Sequence, residues 1–243
     1  MRKIFKRTLW GTGIFVIALA LVLGSFMFKM NVIETKEIKP NVYAINDSFV
    51  DMFLVKDSDN YVAIDVGKDI KVIEDGLKKL SIDPDRVVAV LLTHSDGDHV
   101  GALNLFKNAV IYLSNDEEQM INGTTKRMNS YNKIESKTYT LLNDQQNVQI
   151  GNLNIKGILT PGHTPGSMCY LFNNKYLFVG DAFSLKDGKI DKPSDFFSMD
   201  MKTAIQSLVK ISDLPEAQYI FTAHTGYSDN YKKAMKDWKI VKE

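Results

Sequence analysis

Apolar positions fall into three stretches along the chain. Residues 8–28 form an uncharged run dominated by Leu, Ile, Val, Phe and Ala. At about 1.5 Å per helical residue such a run spans a hydrocarbon core of roughly 30 Å, which predicts a transmembrane helix. Beyond it, β-like runs at 42–45, 49–56 and 61–66 lead into 68–80, where Ile70, Ile73, Leu77 and Leu80 share one face of a predicted helix. A buried-strand run at 87–92 precedes a helical stretch at 101–107, a strand at 110–113, and a polar region at 115–133 that reads as helical or irregular. The third stretch is again β-rich: 139–142, 148–150, 153–159, and a hairpin pairing 168–172 with 176–179 across Asn173-Asn174. A helix at 201–211, a strand at 219–222 and a closing helix at 230–241 complete the pattern. Two successive sets of strands and helices predict an α+β fold with two sheets inside and helices outside.

Charge sharpens the first stretch. The formal net charge is +1 over 243 residues. Arg2, Lys3, Lys6 and Arg7 precede the apolar run and Lys29 follows it, with no acidic residue among the first 29. The positive-inside bias then places the N-terminus in the cytoplasm and the rest of the chain outside, as a single-pass protein of the cell membrane. A cleaved signal peptide, giving a secreted protein, is the alternative, because Val22-Leu23-Gly24 offers small residues near a possible cleavage point. An uncleaved anchor is favoured by the length of the run. Residues 1–29 are thus read as cytoplasmic stub and anchor, with membrane contact through 8–28, and 30–243 as one exported domain without linker or repeat. That domain is mildly acidic, so no nucleic-acid partner is expected. The lone cysteine, Cys169, excludes an intramolecular disulfide framework and every cysteine-rich zinc module. Oligomeric state is not written in the sequence.

Only four histidines are present, His94, His99, His163 and His224. Two lie in the string Leu91-Leu92-Thr93-His94-Ser95-Asp96-Gly97-Asp98-His99-Val100-Gly101, immediately after a predicted buried strand. His163 follows the strand ending at 159, Asp181 the strand ending at 179, and His224 the strand ending near 222. A single Asp in such a loop is ordinarily a turn or cap residue, and Asp98 could simply cap the helix after it. Four histidines and three aspartates all placed beyond strand ends instead describe a preorganised metal site. Imidazole and carboxylate without thiolate suits zinc, iron or manganese.

The string resembles the signature of the metallo-β-lactamase-fold hydrolase superfamily, Thr-His-x-His-x-Asp-His with later His, Asp and His ligands. The resemblance extends through 30–243 by motif order. It implies a four-layer αββα sandwich, here preceded by the transmembrane helix, with a two-metal site at its edge. His94, His163 and the residue at 96 would hold the first metal, Asp98, His99 and His224 the second, and Asp181 would bridge them. Asp65 matches an early strand-end Asp that supports the site from behind, although a turn-forming role before Gly67 serves as well. Asp96 departs from the pattern, standing where the family has its second histidine. A carboxylate is an acceptable zinc ligand, but the added negative charge weakens the Lewis acid and opens the site to Mn and Fe. Two divalent ions, zinc first, are therefore the expected cofactors.

The expected activity is that of a membrane-anchored metal-dependent hydrolase acting on a small molecule. A metal-bound hydroxide would attack an ester, thioester, lactone, amide or phosphodiester, with Asp98 the candidate catalytic residue orienting it. Tyr227 is a possible oxyanion donor or a rim tyrosine, and Lys186 or Lys189, in a 180–189 segment resembling that of glyoxalase II, a possible partner for a substrate carboxylate. A di-iron oxidoreductase of flavodiiron type is one alternative, since such proteins carry a carboxylate at the Asp96 position, although theirs is Glu. A non-catalytic exported binding module is the other.

Overall fold

Two strands are buried along their length, which only a sheet covered on both faces permits. They are β3 (Val50–Asp57), buried from Val50 through Val55, and β10 (Met168–Phe172), buried throughout. The computed structural model describes residues 30–127, 130, 132–134, 138–212, 214 and 217–239. Among these, no helix is long and apolar enough to cross a membrane; the 8–28 run lies outside them.

The first sheet has seven strands in sequence order: β1 (Lys36–Lys39), β2 (Val42–Asp47), β3, β4 (Asn60–Ile64), β5 (Val87–Leu91), β6 (Val110–Ser114) and β7 (Thr140–Leu142). It is antiparallel from β1 to β4 and parallel from β4 to β7. The second sheet contains β8 (Asn147–Ile150), β9 (Leu153–Leu159), β10, β11 (Tyr176–Phe178), β14 (Tyr219–Phe221) and β15 (Tyr227–Ser228), in the order β15-β14-β11-β10-β9-β8. A small hairpin, β12 (Leu185–Lys186) with β13 (Lys189–Ile190), stands apart.

Three apolar clusters follow from the alternation of side chains along these strands. Phe53, Val55, Val62, Ile64 and Leu91 of the first sheet meet Ile155, Tyr170, Phe172, Phe178 and Phe221 of the second. On the outer side of the first sheet, Ile45, Leu54 and Val90 pack with Ile73 and Leu77 of helix α1 (Ile70–Leu80). On the outer side of the second, Cys169, Leu171 and Ile220 pack with Leu208 and Ile211 of a later helix, Met201–Ile211. The result is a mixed α/β sandwich of two sheets, each with a helix against its outer face. Helix α1 starts two residues later than the predicted 68–80, because Asp69 accepts from the backbone N–H groups of Lys71 and Val72 and so caps its first turn.

Strand direction concentrates the loops. β4 and β5 run parallel, as do β11 and β14. Because β10 is antiparallel to both its neighbours, β9 points the same way as β11. Asp65, His94, His163, Asp181 and His224 follow the carboxyl ends of β4, β5, β9, β11 and β14 in turn.

Some elements differ from the sequence-based expectation. The stretch 101–107 is not a helix; the helical turn comes earlier, α2 (Gly97–Val100), and only a 3-10 turn follows at Leu103–Leu105. Gly101 lies against the backbone of Lys68, where an added Cβ would stand 2.2 Å from a carbonyl oxygen, so packing dictates the path there. The region 115–133 opens with a 3-10 turn and one short helix, α3 (Glu118–Ile121), and the described residues after it form no further helix. After α4 (Met201–Ile211), the closing helix is two pieces, α5 (Tyr231–Ala234) and α6 (Lys236–Lys239).

Candidate metal centre

The seven residues singled out from the string and the later loops converge. Ligand atoms of His94, Asp96 and His163 lie within 4.8 Å of one another, as do those of Asp98, His99 and His224, and those of His94, His99 and Asp181. Asp181 stands between the two outer groups: its Oδ2 is 3.5 Å from His163 Nε2, and its Oδ1 is 3.1 Å from His224 Nε2 and 3.5 Å from His99 Nε2. Asp96 Oδ2 is 3.1 Å from His163 Nε2 and 3.5 Å from His94 Nε2. Asp98 Oδ2 is 3.7 Å from both His99 and His224 Nε2.

The imidazoles are aimed by what holds their far sides. Asp65 adopts a left-handed backbone, φ 53°, at the end of β4. It accepts from the Thr93 N–H at 2.8 Å, from Thr93 Oγ1 at 2.8 Å and from His99 Nδ1 at 2.9 Å. With its hydroxyl proton given to Asp65, Thr93 Oγ1 accepts from His94 Nδ1 at 3.0 Å. His224 Nδ1 donates to the Phe49 carbonyl at 2.6 Å. These bonds leave each Nε2 facing inward, the arrangement by which metal-binding histidines are fixed. Asp65 is thus more than a turn residue. Asp98 caps nothing either: the N-cap position of α2 is Asp96, whose side chain makes no capping bond and turns into the site.

His94 Nε2, His99 Nε2 and Asp181 Oδ1 are buried and make no hydrogen bond among the described residues. Orphaned buried groups of this kind are costly unless something else engages them, and three pointing into one cluster fit a cation. Charge agrees. Burial would lower the His99 pKa, yet Asp181, Asp98 and Asp65 outweigh it and raise it well above the ordinary value. Burial likewise opposes ionisation of Asp181, but His224 and His99 hold it well below the usual carboxylate range. The cluster therefore favours positive charge at its centre, and deprotonated imidazoles with carboxylates are what a divalent ion exchanges protons for.

Behind the histidine string lies Glu117, fully buried. It accepts from the Ser95 N–H at 2.9 Å, Ser95 Oγ at 2.6 Å, Thr164 Oγ1 at 2.6 Å and the Gly166 N–H at 3.1 Å. One carboxylate thereby ties the loop carrying His94 to the loop carrying His163. Neither Glu117 nor Arg127, which bonds Asp96, carries a sequence signal of its own, because both lie in the polar 115–133 region. Tyr227 belongs to an aromatic stack, 5.6 Å from Phe221, with the Lys39 ammonium 5.2 Å from its ring. Lys189 is paired to Asp237 at 2.9 Å, and Lys186 is exposed on β12.

Residues 45–224 match the family model of the metallo-beta-lactamase superfamily. The chain belongs to that superfamily. Among curated proteins it is 30% identical over 184 residues to a probable polyketide biosynthesis zinc-dependent hydrolase of Bacillus velezensis, covering 74% of this chain and 73% of that one. It is 29% identical over 199 residues to a hydroxyacylglutathione hydrolase of an Enterobacter species, covering 80% and 68%. Other curated relatives are spanned over as little as 47% of their length. A solved B3 metallo-beta-lactamase described as having an active-site glutamic acid shares the fold, with TM-score 0.66 at 16% identity over 86% of this chain and 87% of that one. The protein is a metal-dependent hydrolase of this superfamily.

Proposed function

We propose that this hydrolase holds two divalent ions, zinc first, with His94, Asp96 and His163 at one position, Asp98, His99 and His224 at the other, and Asp181 shared between them. The observation that carries the reading is the inward convergence of four imidazole Nε2 atoms on three carboxylates, with buried Nε2 atoms of His94 and His99 left unpaired. Bound there, such ions polarise a carbonyl or phosphoryl oxygen and activate water near neutral pH. The chain's own residues do the rest. His94, His99 and His163 are almost fully buried, whereas His224 and the carboxylates of Asp96, Asp98 and Asp181 keep 15–24% of their surface, so substrate meets the side they form. Asp98, the most open of these, orients the attacking water and receives its proton.

The substrate class we infer is a small acyl compound, an ester, thioester, lactone or amide, ahead of a phosphodiester. Support comes from the named hydroxyacylglutathione and zinc-dependent hydrolases. The apolar 8–28 run supports a membrane-anchored protein with its catalytic domain outside the cytoplasm. The central test is metal analysis coupled to an ester, lactone, thioester and phosphodiester panel. Two zinc ions per chain are expected, with hydrolysis abolished by chelation. His224→Ala should lose close to one ion and at least about a hundredfold in kcat/KM, whereas metal-independent turnover, or iron with oxygen consumption, would replace this reading.

A further inference from the structure

Asp96 raises a question of charge. Two divalent ions set against two carboxylates leave a net charge of two, and a third carboxylate removes one. That matters because a positive centre is what makes water acidic. The fold places a cation against the outer side of this residue. Arg127 Nη1 donates to Asp96 Oδ2 at 2.6 Å, and Arg127 Nη2 donates to the His163 carbonyl at 2.5 Å. Asn132 Nδ2 donates to the other oxygen, Asp96 Oδ1, at 2.8 Å, and to Ser95 Oγ at 2.9 Å. Both oxygens are therefore held from outside, which fixes how Oδ2 faces His94 and His163. Arg127 is itself pinned by reciprocal backbone hydrogen bonds with Ser130, at 2.8 and 2.9 Å.

The pair is poorly solvated, the Arg127 and Asp96 side chains being 20% and 17% exposed, so its charge is weakly screened. Residue choice is informative too: of 30 basic residues only Arg2, Arg7, Arg86 and Arg127 are arginines. A lysine ammonium cannot present two parallel donors from a planar fork to a carboxylate and a carbonyl together.

We propose that Arg127 is a positioning residue that makes Asp96 serve as a histidine would, supplying the missing positive charge and presenting one carboxylate oxygen to the first metal position, with Asn132 holding the other. This rests on the assignment of Asp96 as a ligand. Arg127 and Asp96 thus form one functional unit, so that either is a liability without the other.

The test uses the full chain in detergent, with zinc as the probe, comparing Arg127→Gln in the native and Asp96→His backgrounds. Zinc affinity is read by chelator competition and folding by thermal unfolding. In the native background Arg127→Gln should weaken zinc binding by about 10- to 100-fold, the usual cost of losing a partner of a metal ligand. With Asp96→His the guanidinium faces no carboxylate, so the same substitution should strengthen zinc binding. Arg127→Lys keeps the charge and loses the fork; it should weaken zinc binding yet leave the acid limb of 4-nitrophenyl acetate hydrolysis in place, while Arg127→Gln moves that limb upward by about one pH unit. A similar loss in both backgrounds would make Arg127 a mere tether of the His163 loop and overturn the proposal, as would no change in either. Failure of the unsubstituted protein to take up zinc would instead remove the metal assignment on which it stands.

Discussion

Asp65 accepts from Thr93 twice and from His99, so one carboxylate at a strained backbone position sets two imidazoles at once. Asp51 illustrates a different use of burial. Among the described residues its two oxygens accept only the Ile33 N–H, at 3.1 and 2.9 Å, and its own N–H donates to the Ala223 carbonyl beside His224. Burial pushes its pKa up to about 7, against the opposing pull of the Ile33 hydrogen bond and His224. Between an unfolded value near 3.8 and that folded value, the native state binds the extra proton, so this residue's contribution to stability falls as pH rises from about 4 to 7. At about 1.4 kcal/mol per unit the loss is at most about 4 kcal/mol. Asp51→Asn, which keeps an acceptor for Ile33, should flatten it. Thermal unfolding in excess chelator should show the variant gaining on the parent across that window, and a constant difference would refute the account.

Among the elements, the strand ends and their loops carry the chemistry. Gly166, in the loop after β9, lies so close to the Glu117 backbone that an added Cβ would stand 2.0 Å from the Glu117 nitrogen. Gly166→Ala should therefore push the His163 loop away from the Glu117 carboxylate, costing about 3 kcal/mol or more through overpacking and broken hydrogen bonds. A fall in melting temperature together with reduced zinc content is the expected result; an unchanged zinc content would separate the loop from the site. Long apolar elements were legible in the sequence: β3, β5, β9, β10, α1 and α4 all lie close to where periodicity predicts them. Short strands with an apolar run, β7, β8, β11 and β14, were legible too. β1, β12, β13 and β15, of two to four residues with no apolar run, were not, and exist because a neighbouring strand offers hydrogen bonds. The closing helix failed for the same tertiary reason: Tyr231 turns inward, its hydroxyl donating to the Ile211 carbonyl, and the helix is interrupted at Met235.

For the whole molecule, the near-neutral net charge combines a basic start with a mildly acidic remainder. The proposed anchor makes a prediction at this scale. The full chain should sediment with membranes, resist alkaline carbonate, and be digested by protease added outside intact spheroplasts. Residues 30–243 expressed alone should stay in the soluble fraction with kcat/KM on the same small ester within about twofold. Release of the full chain by carbonate, or its recovery in the medium, would favour the signal-peptide alternative.

With the family resemblance marking Asp96 as standing in a histidine's place, the sequence itself determined the ingredients: which side chains could ligate and that they follow strands. These are local facts, carried by spacing and by apolar runs. Only the tertiary structure decided what holds the far sides of His94, His99 and His224, that Glu117 joins two loops, and that Arg127, 31 positions from Asp96, lies against it. Such pairings depend on how two sheets bring separate loops together, and neither hydrophobic periodicity nor motif spacing encodes a contact between residues that belong to no common element.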